Sequence, residues 1–463
     1  MQTTLPFQDE PAHVVNDTFI LADEGSFIIY APLAEAILRC NETQVRALIA
    51  VKETGRSNEH VAPLQALGIV HRGAGPCSRA PAIETDKPLD GNYKPTKVTL
   101  FPTNDCNLAC TYCYSRAGET NERLRPELAK KAIDILIQNA LDLGREHIQV
   151  NFHGGGEPFH NFDLVRGAIE YGRAQCAKSG LRLSSHAATN GILNPQQLEW
   201  LCDHLDAVSI SIDGPPDVQD VQRPLKLLNR SSSRRSSDFV VATIRFLESR
   251  SKRYGLRCTI TDTNVDRLRD LVDFFRAETS VRSAQLEPVF VTGRCHSSGI
   301  GGLDARRFLT ALVDAYDYGM ERGFELRYSG STLWSRRESF CGADGRNFFL
   351  TPEGHVSACN EVSRKSDYHA DRYIVGQLNN AGMQIDETKV SLLRQRRLHN
   401  LPNCQTCFAK HNCAGDCAVK MDDPFDTTTN ERCYVNRGIL LHQMRRVLTK
   451  TNKQRETVGP TYA

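Results

Sequence analysis

Three cysteines, Cys106, Cys110 and Cys113, stand at the spacing C-x3-C-x2-C within Cys106-Asn107-Leu108-Ala109-Cys110-Thr111-Tyr112-Cys113-Tyr114, just after the strand-like run 97–101. Thiols this close can wrap three irons of a [4Fe–4S] cube and leave the fourth iron without a protein ligand, whereas electron-transfer clusters take four cysteines. The pattern points to chemistry at an open iron. A zinc knuckle or three unrelated thiols is the alternative, and the flanking sequence argues against it.

The 463 residues suggest about three domains at roughly 150 each. Apolar content of 40% and charged content of 24% are ordinary for a globular chain. A net charge of +2 makes no electrostatic case for a nucleic-acid or membrane partner. No apolar run approaches the ~18 residues that span a bilayer. The opening MQTTLPFQDEPAHVV lacks the basic-then-apolar layout of a signal peptide, so a cytoplasmic location is expected. Sixteen cysteines in such a chain read as metal or cluster ligands rather than disulfides.

Residues 1–90 form a first unit, with strands expected at 18–21 and 27–30, helices at 42–52 and 60–67, and a returning strand at 68–71. A polar linker over 82–96 follows. From 97 to 330 strand and helix alternate, which argues for a parallel α/β sheet. Strands are expected at 97–102, 147–152, 182–189, 207–213, 256–262, 283–290 and 324–328. Amphipathic helices include 126–143, 195–205, 238–254 and 265–277. Residues 331–440 form a cysteine-rich unit and 441–463 a tail. The insert Leu228–Ser237 is rich in Arg and Ser. It reads as a solvated loop, or as a basic lip that guides an acidic peptide.

The cysteine motif, with an aromatic before its third cysteine, resembles the radical S-adenosylmethionine (SAM) superfamily. His153-Gly154-Gly155-Gly156-Glu157-Pro158 after the second strand strengthens the resemblance, since glycines let backbone approach a ligand closely. The resemblance implies a partial (β/α)6 barrel with its site at the C-terminal strand ends, and a cluster whose free iron chelates SAM. It implies that Gly155, Gly156, Glu157 and Pro158 contact the methionine amino group, and that Asn190 and Ser211 reach SAM from the next strand ends. Period-two alternation puts Ser209, Ser211 and Asp213 on one face of the fourth strand and Ile210 and Ile212 on the other. Asp213 either faces the site or caps the Gly214-Pro215 turn. Arg257 pairs with SAM's carboxylate or is a plain strand arginine. Glu287 faces the cavity as substrate contact or base, or lies on the surface.

The second constellation is Cys341-x12-Gly354-x4-Cys359, then Cys404-x2-Cys407-x5-Cys413-x3-Cys417, and finally Cys433. It is similar to the SPASM extension of radical SAM enzymes, and the resemblance covers about 340 of the 463 residues. It implies two auxiliary [4Fe–4S] clusters, three clusters in all. Cys341, Cys359 and Cys417 would hold one, and Cys404, Cys407, Cys413 and Cys433 the other. No cysteine lies between Cys341 and Cys359, so the fourth iron of the first auxiliary cluster is open, or held by Asp344 or Cys295. Zinc is the alternative, but a tetrahedral four-cysteine site leaves three of the seven cysteines unexplained. Cys295, past the sixth strand, could instead donate a hydrogen atom or be a bland loop residue. Cys40, Cys77, Cys176, Cys202 and Cys258 read as core residues.

The resemblance implies a peptide- or protein-modifying oxidoreductase that needs a flavodoxin- or ferredoxin-type reductant. The leading expectation is a maturase of a ribosomally made peptide, installing a thioether, carbon–carbon or carbon–oxygen link. Residues 1–90 would be a small winged-helix-like unit that binds the leader peptide, or an unrelated packing domain. The runners-up are an anaerobic sulfatase maturase, a peptide epimerase and a non-catalytic iron–sulfur protein. Balanced charge and the short basic segment argue against RNA modification.

Overall fold

The structure is a computed structural model, and it describes residues 12–72, 91–226, 234–420 and 431–457. Most of the 82–96 linker, Cys77 and residues 228–233 of the Arg/Ser insert lie outside them. Among the described residues, no helix is long and apolar enough to cross a membrane.

The N-terminal unit contains β1 (Ala12–Val14), β2 (Phe19–Asp23), β3 (Ser26–Ala31), β4 (Ala36–Cys40) and β5 (Val70–Arg72), with the helix Glu42–Thr54 between β4 and β5. β2, β3 and β4 form an antiparallel sheet, and β1 pairs with β5. β1 and β4 escape a reading by pattern, being short and without clear alternation of polar and apolar residues. Period-two alternation along β3 serves two cores. Ile29 and Ala31 pack with Val45, Leu48 and Val51 of the helix. Ile28 and Tyr30 face the other way, onto Leu440, Met444 and Leu448. Those residues belong to the helix Glu431–Thr457, so no separate tail begins at 441.

Polar contacts reinforce this docking. Tyr30 Oη donates to Asn412 Oδ1 at 2.9 Å. Asp17 meets Lys410 Nζ at 2.5 Å and His411 Nε2 at 2.7 Å. Burial would raise the Asp17 carboxyl, but the bonds from His411 and Lys410 outweigh it and hold the group below its usual value of 3.8. A depressed folded pKa contributes stability that is present above the unfolded value and fades as pH falls through the folded one. The stability gap between wild type and Asp17→Asn, followed by urea denaturation, is therefore expected to be full above about pH 4 and to close below it. A gap independent of pH would show that the contact contributes nothing.

The central sheet has eleven strands in the order β12-β11-β10-β9-β8-β7-β6-β13-β14-β15-β16. β6 (Lys97–Leu100), β7 (His147–Phe152), β8 (Arg182–Thr189), β9 (Ala207–Ser211), β10 (Tyr254–Ile260), β11 (Ser283–Pro288) and β12 (Glu325–Tyr328) run parallel. Helices on their outer side complete the β/α units. In Pro126–Asp142, proline opens the first turn, and Leu128, Ala132, Ile133, Leu136 and Ala140 line the buried stripe. The helices Phe162–Lys178 and Ala305–Glu321 join those read from the sequence.

The expected boundary at 330/331 is not a break in the sheet. β13 (Phe349–Leu350) pairs in parallel with β6, and β14 (His355–Ser357), β15 (Ile374–Asn379) and β16 (Gly382–Ile385) continue antiparallel. The cysteine-rich segment is thus built onto the first barrel strand, beside the loop that carries Cys106.

Candidate active site

β6 delivers the chain into the loop of Cys106, Cys110 and Cys113, and three segments hold that loop in place: one beyond the helix that follows β9, one after β7 and one after β11. Residues 222–226 lie alongside it: Ala109 N donates to Pro224 O, Thr111 N to Gln222 O and Lys226 N to Asn107 O, each at 2.9 Å. After β7, Glu157 N donates to Asp105 O at 2.8 Å, and Ser115 Oγ donates to Gly155 O at 2.7 Å. After β11, Arg294 N donates to Cys113 O at 2.9 Å, while its guanidinium donates to Cys110 O at 2.9 Å and Ala117 O at 2.6 Å.

The glycines after β7 are dictated by this contact. A Cβ on Gly156 would stand 1.9 Å from Asp105 O, and one on Gly155 would stand 2.2 Å from Asn104 Oδ1. Glu157 does not offer its carboxylate to the cavity's solvent. It is 2% exposed and accepts from Thr189 Oγ1 and Asn190 N at 2.8 Å each, locking the glycine turn to the end of β8. Burial raises its carboxyl above the usual value, against the opposing pull of those donors.

A cavity of about 720 Å³ opens over these strand ends. Cys106, Cys110, Cys113, Gly155, Gly156, Glu157, Asn190, Ser211, Arg257 and Glu287 all line it. Glu287 accepts from Gln285 Nε2 at 2.8 Å. The Arg257 guanidinium makes no hydrogen bond or ion pair among the described residues, and His153 and Asn151, which also line the cavity, each leave a buried polar atom unpaired. Burial, with the Arg257 and His186 charges, pushes His153 down to about 3, so its ring is neutral.

Three expected site residues do not line the cavity. Pro158 is buried at the start of a short 3-10 turn. Cys295 is 1% exposed, with Sγ against Phe290 O at 3.8 Å. Asp213 neither faces the cavity nor caps the Gly214-Pro215 turn. β9 ends at Ser211, and the chain then turns the Asp213 side chain into the interior. There its carboxylate accepts from Tyr112 Oη at 2.5 Å, Arg223 Nε at 2.9 Å, Gln222 Nε2 at 3.0 Å and Thr259 N at 3.0 Å. Arg223 in turn lies over the Tyr112 ring and brings Nη1 to 4.0 Å from Cys110 Sγ.

The remaining cysteines gather in two further sets. Cys341, Cys359 and Cys417 line the same cavity and lie within electrostatic reach of one another. Cys413 has Cys433, Cys404 and Cys407 as neighbours, away from the cavity. The split between Cys413 and Cys417 is made by a left-handed run, with φ of 51°, 79° and 59° at Ala414, Gly415 and Asp416. Asp416 is fully buried and fixed by Arg432 at 2.7 and 2.8 Å, and Asn436 Nδ2 reaches Cys413 Sγ at 3.2 Å.

These sets suit clusters better than single ions. Among the described residues, no three Cys, His, Asp or Glu side chains converge closely enough for one metal ion. A cube spreads its thiolates farther apart than a tetrahedral zinc does. Donors already point at sulfur: Leu108 N lies 3.4 Å from Cys106 Sγ, and Ala117 N lies 3.3 Å from Cys113 Sγ. Burial pushes the Cys106 and Cys110 thiols up to about 12, so iron would have to displace their protons.

Residues 100–275 match the model of the radical SAM superfamily. The chain carries a radical SAM domain. It is similar to MJ0907 of Methanocaldococcus jannaschii, at 30% identity over 39% of this chain and 58% of that one. It is also similar to a serine-type anaerobic sulfatase-maturating enzyme of Klebsiella aerogenes, at 21% identity over 68% of this chain and 78% of the relative. Among solved structures, anSMEcpe with bound AdoMet superposes with a TM-score of 0.60 at 16% identity, covering 78% of this chain and 99% of its own. Streptococcus suis SuiB bound to S-adenosylmethionine superposes at 0.51 and 16% identity, covering 90% of this chain and all of its own. The chain shares the mixed α/β fold of both, and its radical SAM domain over residues 100–275 marks it as an enzyme and implies a [4Fe–4S] cluster and SAM.

Sequence reasoning missed Arg223, Arg294, Asn107 and His153. Arg223 and Arg294 belong to no motif, and Asn107 and His153 stand inside the two quoted motifs at positions to which the spacing assigns no role. The one available signal was a buried-side-chain pattern just past two strand ends, which is visible only once the strands are placed.

Proposed function

We propose that this chain is a SPASM-type maturase that oxidatively modifies a ribosomally made peptide. The observation that carries the reading is the single cavity shared by the Cys106/Cys110/Cys113 loop and the Cys341/Cys359/Cys417 set. A substrate bound between them would have hydrogen-atom chemistry on one side and an electron acceptor on the other.

In this reading Cys106, Cys110 and Cys113 hold the first cluster, and Cys341, Cys359 and Cys417 with Cys404, Cys407, Cys413 and Cys433 hold two more. When bound and reduced by an external one-electron donor, the cluster and SAM would supply the hydrogen-atom abstraction chemistry of the superfamily. The residues do the rest. Backbone at Gly155 and Gly156 would admit SAM's methionine end and Ser211 would offer a hydrogen bond, while the Asn190 amide is committed to Asn107 Oδ1 at 2.7 Å and Ile192 N at 2.9 Å and so braces the cysteine loop. Arg257, without an internal partner, is available for a bidentate carboxylate contact. Arg294 and Arg223 fix the cysteine loop. Glu287 faces the substrate side.

The peptide class is favoured by the extent of the likeness. SuiB covers 90% of this chain, and the tenth left over is shorter than residues 1–96, so that match reaches into the N-terminal unit. One SuiB structure is bound to the precursor peptide SuiA. A leader would add to the outer edge of the β2-β3-β4 sheet, where, among the described residues, β2 pairs with β3 alone and Ile20 is exposed. The higher TM-score of anSMEcpe favours the second reading, oxidation of a Cys or Ser to formylglycine in a sulfatase.

The deciding experiment is anaerobic co-expression with a short open reading frame encoded beside the gene, followed by high-resolution mass spectrometry of that peptide. Loss of two hydrogens is the expected result. An unchanged mass that gains deuterium in heavy water would mean epimerisation instead. No change in the peptide, with formylglycine formed in a sulfatase-derived peptide, would replace the proposal by the second reading.

A further inference from the structure

We propose that Glu361 is the fourth protein ligand of the iron–sulfur site formed by Cys341, Cys359 and Cys417. The inference rests on the reading above that these three thiols hold a cluster. Three thiolates leave one iron of a cube without a protein donor, and the structure removes both donors that the sequence suggested. Asp344 is 4% exposed, and both its oxygens are taken, by Ser339 Oγ and Arg346 Nε at 2.8 Å each. Cys295 is buried against Phe290 O, next to Cys113 rather than to this set.

Glu361 follows Cys359 by two residues and lines the cavity wall that Cys341, Cys359 and Cys417 also line. Among the described residues its carboxylate accepts no hydrogen bond. Its charged partner is Lys420, at 3.7 Å from Oε1 and three residues beyond Cys417. The carboxylate is 24% exposed and held by one cation beyond hydrogen-bond distance, which leaves lone pairs free to meet an iron. After burial, its charge is the largest influence raising both the Cys359 and Cys417 thiols, so its field reaches two of the three sulfurs.

The choice of oxygen has a consequence. A carboxylate is a harder and weaker donor to a cluster iron than a thiolate. The iron it holds would stay exchangeable from the cavity side, where substrate enters. The other auxiliary set has four thiols and no cavity face, so its irons would be closed.

The test uses full-length protein in which Cys106, Cys110 and Cys113 are all alanine, so that the SAM-binding cluster contributes no signal. After anaerobic reconstitution, a brief mild oxidation strips an unprotected iron, and electron paramagnetic resonance counts the three-iron clusters that result. Glu361→Gln, nearly isosteric, is expected to raise the three-iron yield several-fold over the parent from the same starting iron content. Glu361→Cys is expected to bring it to the parent level or below. Equal yields from parent and Glu361→Gln would overturn the assignment and leave the cluster standing. If Cys359→Ala in the same background leaves iron and sulfide unchanged, there is no cluster at this set, and the underlying reading falls with the assignment.

Discussion

Replacing Asp213 with alanine is expected to destabilise the protein by about 3–5 kcal/mol, the usual cost of orphaning one partner of a buried ion pair. Asp213 is fully buried and the Arg223 side chain is only 10% exposed. Without the carboxylate, the Arg223 guanidinium loses its counter-charge in a site it cannot leave. The Tyr112 hydroxyl, Gln222 Nε2 and Thr259 N lose their acceptor at the same time. Because Tyr112 lies between Cys110 and Cys113, and Arg223 reaches Cys110 Sγ, the damage is delivered to the cysteine loop. Iron retained after anaerobic reconstitution should therefore fall together with the urea midpoint. Arg223→Met paired with Asp213→Leu should lose much less than the sum of the two single changes, since neither charge is then stranded. A midpoint for Asp213→Ala within error of wild type would mean that the network holds nothing in place.

This network also marks where the sequence stopped being legible. Strand alternation placed Ser209 and Ser211 on one face and Ile210 on the other, and β9 keeps that pattern, with Val208 and Ile210 buried. Extending the same period to Asp213 fails because the strand ends at Ser211. Beyond that point side-chain direction is set by what the interior can satisfy, here the Arg223 guanidinium from beyond the following helix. Spacing carries information only while the backbone repeats, so the parallel strands and the helix Pro126–Asp142 could be read nearly residue by residue. The left-handed run Ala414–Asp416, which sends Cys413 and Cys417 to different sets, has no period to read. The cysteine spacings were legible because ligands on one loop must lie close in sequence. The carboxylate beside Cys359 was not, because a single Glu in a polar stretch looks like any solvated residue until the cavity wall is built around it.

Gly156→Ala should have the second large effect, on SAM affinity rather than on global stability. The added methyl carbon would stand 1.9 Å from Asp105 O and 2.7 Å from Asn104 C, and both are backbone atoms. They have little freedom to retreat. Asp105 O accepts from Glu157 N at 2.8 Å, Asn104 N donates to Glu122 O at 3.0 Å, and Asn104 O accepts from Gly118 N at 2.7 Å. The strain must move either the glycine turn or the first residues of the cysteine loop. Overpacking of this kind costs about 1–3 kcal/mol, which corresponds to a loss of roughly 5- to 150-fold in affinity at about 1.4 kcal/mol per decade. Equilibrium binding of SAM to the reconstituted protein reads it directly. Gly167→Ala is the matched control. Gly167 lies in the helix Phe162–Lys178, and its added methyl would meet nothing within 4 Å. That change should leave SAM binding untouched and add about 0.5–1 kcal/mol of stability, because alanine gives up less backbone freedom than glycine in a helix. If both variants bind SAM like wild type, the turn after β7 is not the cradle. If only Gly156→Ala loses binding, the contact between the glycine turn and the cysteine loop is what shapes the site.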